Sequence, residues 1–307
     1  MKDKKLVAVV GPTAVGKTAV AIELAEKWQT EIISADSRQI FKDLEIGTAK
    51  PTQQELNRVK HHFINYKSIE EEYDARQFGE EALAVINNLF ERLDVVVLCG
   101  GSGLYVKSLL EGFDEIPQIP KGMREAISKE YEATGLAWLQ NEMERLDAEY
   151  FQQVDRQNPH RLIRGIEINR ATGKPVGTFR SNPKKELPFK VIKIGLELPR
   201  EVLYQRIDDR MNVMIANGLF EEAERFYPQR NLNALQTVGY REIFGFMEGA
   251  YDREEAIRLL KRNSRNYAKR QLTWFKKDKE INWMSPDEAI QNLPAGQAGS
   301  WIYIQNW

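Results

Sequence analysis

Apolar residues run without a break through Leu6-Val7-Ala8-Val9-Val10 and stop at Gly11. A continuous, β-branched run of this length marks a strand over 5–10 that is buried on both faces. Asp94-Val95-Val96-Val97-Leu98-Cys99 repeats the pattern before Gly100-Gly101-Ser102-Gly103. Val191-Ile192-Lys193-Ile194-Gly195-Leu196 restarts it after Pro188. Ile32-Ile33 predicts a shorter strand ending at Ser34-Ala35-Asp36. Between these strands the apolar spacing is helical, over about 17–28 and again over 75–92, where Phe78, Ala82, Val85, Ile86, Leu89 and Phe90 recur at helical intervals. Strands alternating with helices and glycine turns predict right-handed crossovers and a parallel sheet wrapped by helices.

The alternation breaks between Ile116-Pro117 and Pro188. Helical spacing fills roughly 121–134, 136–145 (Leu136, Leu139 and Met143 inward) and 158–171, with Pro117, Pro120, Pro183 and Pro188 on the flanks. The expected layout is a discontinuous α/β core, 1–113 and 190–284, interrupted by a helical insertion domain at 114–189. Further helices are predicted over 199–217, 219–227, 239–248 and 253–277. In the tail, 285–307, Ser285-Pro286-Asp287-Glu288 opens a short helix and Trp301-Ile302-Tyr303-Ile304 suits an edge strand.

Composition narrows the class. A chain of 307 residues, 42% hydrophobic and 29% charged, fills a core and carries an ordinary soluble surface. No apolar run approaches the roughly 20 residues of a membrane span. Met1-Lys2-Asp3-Lys4-Lys5 runs straight into the first strand, which leaves no room for a signal peptide. A single cysteine, Cys99, excludes an internal disulfide and a cysteine-based zinc site. The cytoplasm is the expected compartment, and nothing suggests more than a monomer. His61, His62 and His160 are too scattered for a metal site, so a structural role suits His61-His62, and Cys99 suits inert core.

The net charge of −1 is uninformative, but its distribution is not. Lys261, Arg262, Arg265, Lys269, Arg270, Lys276 and Lys277 fall in one stretch without an acid. At helical pitch Arg258, Arg262, Arg265, Lys269 and Lys276 share a stripe of about 60°, with Leu260, Tyr267, Trp274 and Phe275 turned toward a core. Such a stripe is most often only a solvated face.

Gly11-Pro12-Thr13-Ala14-Val15-Gly16-Lys17-Thr18 satisfies G-x-x-x-x-G-K-[ST] between a strand and a helix. The glycines let several N–H groups converge on a phosphate, the helix start adds partial positive charge, Lys17 supplies a mobile cation, and the Thr18 hydroxyl is placed for Mg²⁺. The loop alone favours an NTPase or small-molecule kinase. It leaves open whether ATP, GTP or another diphosphate binds.

Beyond the loop, Ser34-Ala35-Asp36-Ser37-Arg38-Gln39-Ile40-Phe41, Leu44-Glu45-Ile46-Gly47-Thr48-Ala49-Lys50-Pro51 and His61-His62-Phe63-Ile64 resemble the tRNA dimethylallyltransferase family. So do Gly100-Gly101-Ser102-Gly103-Leu104-Tyr105, Asn158-Pro159-His160-Arg161, Glu167 with Thr172-Gly173-Lys174-Pro175, Val238-Gly239-Tyr240-Arg241-Glu242, and Tyr267-Ala268-Lys269-Arg270-Gln271-Leu272-Thr273-Trp274-Phe275. The matches keep family order from residue 11 to 275. Phe41 stands where a tyrosine is usual, Asn65 where an aspartate is common, and Ser102 where a threonine is usual; Phe41 therefore carries no hydrogen-bonding role.

The resemblance implies a P-loop NTPase-like α/β fold, dimethylallyl diphosphate in the loop, Mg²⁺, and transfer to N6 of the adenosine immediately 3′ of the anticodon, extruded from its stack. It makes Asp36 the general base, although an aspartate there also caps the following turn or holds Mg²⁺ through water. It makes Arg210 a diphosphate clamp beside Thr13 and Lys17, the alternative being a surface ion pair with Asp209 or Glu222; Arg206 is a weaker candidate. Ser37, Arg38, Gln39, Ser102, Arg124, Gln157, Asn158, Pro159, His160 and Arg161 become tRNA contacts, although Asn158-Pro159 is also an ordinary helix start and Arg161 and His160 are equally at home as structural residues. The basic stripe, with Arg262, Arg265 and Lys269, becomes a track for the phosphates of the anticodon stem-loop. The rivals are an adenylate isopentenyltransferase, a P-loop kinase, in which Asp36 activates a hydroxyl, and a non-catalytic RNA-binding protein.

Overall fold

The computed structural model describes residues 3–113, 116–117, 119–120, 122–179 and 185–291, so the edge strand expected at 301–304 lies outside the described residues. In chain order the elements are β1 (Lys5–Val10), α1 (Lys17–Lys27), β2 (Ile32–Ser34), α2 (Gln53–Arg58), β3 (His61–His62), α3 (Ala75–Leu89), β4 (Val95–Gly100), α4 (Gly103–Glu111), α5 (Met123–Thr134), α6 (Leu136–Leu146), α7 (Ala148–Gln153) and α8 (Pro159–Thr172). There follow β5 (Lys190–Leu196), α9 (Arg200–Ala216), α10 (Leu219–Phe226), α11 (Tyr240–Met247), α12 (Arg253–Phe275), β6 (Asn282–Met284) and α13 (Pro286–Gln291). The helix expected at 285–288 forms with Ser285 as its cap, its hydroxyl accepting from the Glu288 N–H at 3.2 Å. The sequence patterns did not predict α2, α7, β3 or β6.

The described strands form one parallel sheet in the order β3-β2-β4-β1-β5-β6. Alternate side chains of the central strands enter two different cores. Leu6, Ala8, Val10, Val96 and Leu98 pack on one face, and Val7, Val9, Val95, Val97, Ile192 and Ile194 on the other. Burial on both faces is why β1 and β4 read as nearly unbroken apolar runs. Val10 is level with Gly100 on one side and Gly195 on the other, so the loops that leave β1, β4 and β5 gather at one edge. That carboxyl edge, where the chain order reverses about β1, is where parallel sheets bind ligands.

The chain divides into two compact units, Met1–Glu111 with Glu186–Trp307, and Gly112–Lys185. Every regular element among the smaller unit's described residues is helical, and it holds its own core of Ile127, Leu139, Met143, Phe151, Leu162, Ile163 and Ile166. Inside it the buried Glu167 receives Arg124 in a two-pronged pair at 2.7 and 3.0 Å and Arg164 at 3.3 Å. Asn158 caps α8 through the Arg161 N–H, and Pro159 occupies the first turn, where its missing N–H is not needed. Gln157, His160 and Arg161 are exposed.

Candidate active site

The glycine-rich loop connects β1 to α1. Gly11 has φ +147°, and a Cβ there would lie 2.6 Å from the Leu196 carbonyl oxygen, so only glycine lets β1 turn this close to β5. Gly16, at φ 109°, makes the second bend into α1. Past these bends Thr13, Lys17, Thr18, Asp36 and Arg210 line one cleft of about 280 Å³, with Ile32, Ala49, Pro51, Ile64 and Cys99 forming an apolar wall.

Asp36 leaves the end of β2. Its Oδ1 accepts from the Arg38 N–H at 2.9 Å and the Gln39 N–H at 3.3 Å. Residue 36 therefore caps its own turn, as the first alternative held, while Oδ2 accepts no hydrogen bond among the described residues. Capping fixes the carboxylate and leaves one oxygen for the cleft. Lys17 Nζ donates to the Pro12 carbonyl at 2.7 Å. Enclosure in the cleft pulls the Lys17 ammonium down to about 8, against the opposing fields of Cys99 and Asp36 and with a further lowering from Arg210.

This depression fixes the sign of a pH effect. In the free protein Lys17 sheds its proton near pH 8, so a polyanion that binds against the ammonium above that pH would take up a proton. Calorimetric titration with inorganic diphosphate is expected to show affinity falling by up to about tenfold per pH unit above about pH 8. An affinity that stays flat through that window contradicts the role of Lys17 in anion binding.

Arg210 lies on α9. Its Nη2 donates to Thr13 Oγ1 at 2.5 Å across 197 residues of chain. The alternative surface pairs do not form: Asp209 accepts from Gln205 at 2.9 Å, and Glu222 is used elsewhere. Arg206 stays at the margin, 3.5 Å from the Val15 carbonyl. The Glu222 carboxylate, 1% exposed, collects the N–H groups of Glu45, Ile46 and Gly47 at 3.1, 2.9 and 2.8 Å and the Tyr240 hydroxyl at 2.6 Å. A Cβ at residue 47 would meet the Tyr240 ring at 2.5 Å. The turn carrying Thr48 and Ala49 into the cleft is thus held by a residue that the sequence considered only as a partner for Arg210.

Several residues expected at the RNA are already engaged. Arg38 Nη1 donates to the carbonyls of Asn233 and Ala234, at 2.8 and 3.2 Å. Gln39 Nε2 donates to Thr48 and Ala49, at 3.3 and 3.1 Å, and keeps its Oε1. Ser102 Oγ accepts the Ser37 N–H at 2.9 Å and donates to Ser37 Oγ at 3.2 Å. Arg124 belongs to the other compact unit and is committed to Glu167. A second cleft of about 570 Å³ begins at Ser37 and Arg38 and is lined by Arg241, Tyr267 and Arg270. Neither Arg241 nor Arg270 forms an ion pair among the described residues. Burial pushes the Tyr267 hydroxyl up to about 12, so it stays a neutral donor.

Two expectations for α12 need correction. The stripe is not uniformly free: Arg258 pairs with Glu255 at 2.6 Å, Arg265 with Asp208 at 2.6 Å and Lys276 with Glu197 at 2.8 Å. Arg262 and Lys269 remain exposed without an ion pair among the described residues. Trp274 does not enter the core; its indole lies across Gly103, where a Cβ would come within 2.3 Å, and 36% of it is exposed. The histidines behave as structural groups. On the two-residue β3, His61 Nδ1 meets the Val59 carbonyl at 2.8 Å and His62 Nε2 meets Glu31 at 2.6 Å. Cys99 lines the cleft rather than closed core, and burial holds it as a thiol, pushed up to about 11.

Residues 39–278 match the family model of the IPP transferases. Among relatives, the tRNA dimethylallyltransferase of Cytophaga hutchinsonii is 54% identical over 94% of this chain and 95% of its own. That of Christiangramia forsetii is 48% identical over the same shares. Among solved structures, the tRNA isopentenylpyrophosphate transferase of Bacillus halodurans superposes with a TM-score of 0.69 at 35% identity, covering 94% of each chain. A eukaryotic dimethylallyltransferase described as acting on tRNA gives 0.76 at 25% identity, over 96% of this chain and 81% of that one. With a P-loop-like parallel α/β fold and matches along nearly its whole length, the chain belongs to the IPP transferase family of tRNA dimethylallyltransferases.

Proposed function

We propose that this protein transfers the dimethylallyl group of dimethylallyl diphosphate to N6 of the adenosine immediately 3′ of the anticodon in tRNA, releasing diphosphate. The observation that carries the proposal is one cleft shared by the loop's Lys17, by Arg210 of α9 and by a fixed carboxylate whose Oδ2 accepts no hydrogen bond among the described residues, walled on its other side by apolar residues. The N6 lone pair forms a bond to the allylic carbon, the carbon–oxygen bond to diphosphate breaks with its electron pair leaving on oxygen, and the N6 proton passes to Asp36. Lys17, Arg210 and the loop N–H groups offset the charge that grows on the leaving group. Asp36 shares the N6 proton as attack begins, which an exocyclic amine needs to act as a nucleophile. Ile32, Ala49, Pro51 and Ile64 suit the five-carbon chain and exclude water from it.

The Thr18 hydroxyl lines the cleft and makes no hydrogen bond among the described residues, and it is a hard oxygen donor of the kind Mg²⁺ takes. Among the described residues no group of three or more His, Cys, Asp or Glu is arranged to hold a metal, so Thr18 is the protein group that would hold Mg²⁺ beside the diphosphate. When bound, the ion adds charge neutralisation at the departing oxygens.

The RNA approaches by the second cleft, with Arg241 and Arg270 free to meet phosphates and Ser37, Gln39 and Tyr267 beside the extruded base. The exposed His160, Arg161 and Gln157 of the helical unit contact the anticodon stem-loop. On α12 the phosphate track reduces to the residues without ion pairs. Arg262→Gln and Lys269→Gln are each expected to reduce the slope of log affinity against log salt by about one, whereas Arg265→Gln, already tied to Asp208, moves it less. Equal effects at all three positions, or none, contradict this track. Incubation with Mg²⁺, labelled dimethylallyl diphosphate and bulk tRNA tests the whole proposal. It predicts label on one adenosine of the anticodon loop, and nucleotide hydrolysis without label uptake rejects it.

A further inference from the structure

The Pro12–Thr13 peptide is held at both poles. Its carbonyl accepts Lys17 Nζ at 2.7 Å, and its N–H donates to Gln271 Oε1 at 2.8 Å. Gln271 sits on the buried side of α12, 6% exposed, and its Nε2 donates to the Gly101 carbonyl at 2.9 Å. One amide thereby straps the loop after β1 to the loop after β4. The fit is close: a Cβ on residue 101 would lie 2.4 Å from Gln271 Nε2, so glycine there admits the strap. Thr13 is pinned a second time through its hydroxyl by Arg210.

A peptide unit has a negative and a positive pole, and one partner on each side decides which way it faces. With its N–H committed to Gln271, the Pro12 carbonyl faces Lys17. Rotated by half a turn, the same peptide would present an N–H to the ammonium and leave it without its acceptor. We infer that Gln271 is a positioning residue for the anion site: by orienting the Pro12–Thr13 peptide it holds Lys17 and Thr13 in place for the diphosphate, although it touches no reactant. The same helix carries the basic residues assigned to RNA, so Gln271 joins the two functional surfaces of α12. The role assigned to the loop rests on the diphosphate reading of the cleft, while the strap itself does not.

Two variants separate orientation from mere packing. Gln271→Leu keeps most of the volume and loses both hydrogen bonds. Gln271→Glu restores both when protonated, its hydroxyl donating to the Gly101 carbonyl and its carbonyl oxygen accepting from Thr13; when ionised it sets a negative oxygen against that carbonyl. Calorimetric titration of the purified full chain with inorganic diphosphate across pH is the readout. The Leu variant is expected to bind about tenfold more weakly than the native protein at every pH, from the unpaired loop groups. The Glu variant is expected to approach native affinity as the pH falls and to lose it as the pH rises through the carboxyl's titration. Native-like affinity in the Leu variant overturns the inference, and so does a Glu variant whose ratio to native stays flat with pH. If the Leu variant fails to fold, the Glu titration decides alone. Because the probe is inorganic diphosphate, the outcome stands even where prenyl transfer fails; a native protein that binds no diphosphate rejects the loop's role itself.

Discussion

Asp36→Asn is expected to lower the turnover of prenyl transfer by about 10²–10⁴ while leaving tRNA affinity nearly unchanged. The choice of asparagine matters because it separates the cap that Asp36 makes from the base the proposal assigns to it. Its Oδ1 caps the turn at Arg38 and Gln39, and an asparagine carbonyl accepts those N–H groups as well. What asparagine cannot do is take the N6 proton. Asp36→Ala removes cap and base together. If proton transfer dominates, the two variants lose similar amounts of turnover, and only the alanine variant loses thermal stability. A near-native asparagine variant beside an inactive alanine one would reduce Asp36 to a cap and remove it from the chemistry.

Arg210→Ala is the second large effect. The guanidinium lines the cleft with its Nη2 on Thr13, and under the proposed reading it meets the charge that grows on the leaving group. Burial lowers its pKa, with Asp36 opposing, so the cation is desolvated and gains from an anion placed beside it. Turnover should fall by about 10²–10³ from the loss of one fixed electrostatic stabiliser, with the RNA dependence unaltered. Arg210→Lys should recover little, since a point charge on a flexible stem does not reproduce the planar fork. A loss confined to tRNA affinity would show that Arg210 serves the RNA and not the diphosphate.

The parts of the molecule that were readable in advance have local causes. β1 and β4 announce themselves because both faces are covered, so their central positions are apolar, and β5 follows the same pattern interrupted by Lys193. The glycine-rich loop is legible because its backbone demands glycine at fixed spacing. What escaped depends on partners far along the chain. β3 and β6 have two and three residues and lie at the edges of the sheet, too short for any period to register. Glu222 and Gln271 are polar residues on helices whose purpose is visible only when backbone N–H groups from the other end of the sequence arrive beside them. The same holds for Arg265, assigned to a free stripe by helical pitch yet neutralised by Asp208 on α9. Trp274 obeyed its helical wheel less than its neighbour: Gly103 offers a flat surface on α4, and the indole takes it.

The central claim is that the loop over 11–18 holds an allylic diphosphate while Asp36 faces the amine of an RNA purine. A crystal structure of the complex with a non-reactive thio analogue of dimethylallyl diphosphate and an anticodon stem-loop measures the decisive distance. The account predicts the diphosphate in contact with Lys17 and Arg210, and the purine N6 within about 3 Å of the Asp36 carboxylate. A purine seated elsewhere, with Asp36 turned from it and a nucleoside triphosphate preferred in the loop, would contradict it.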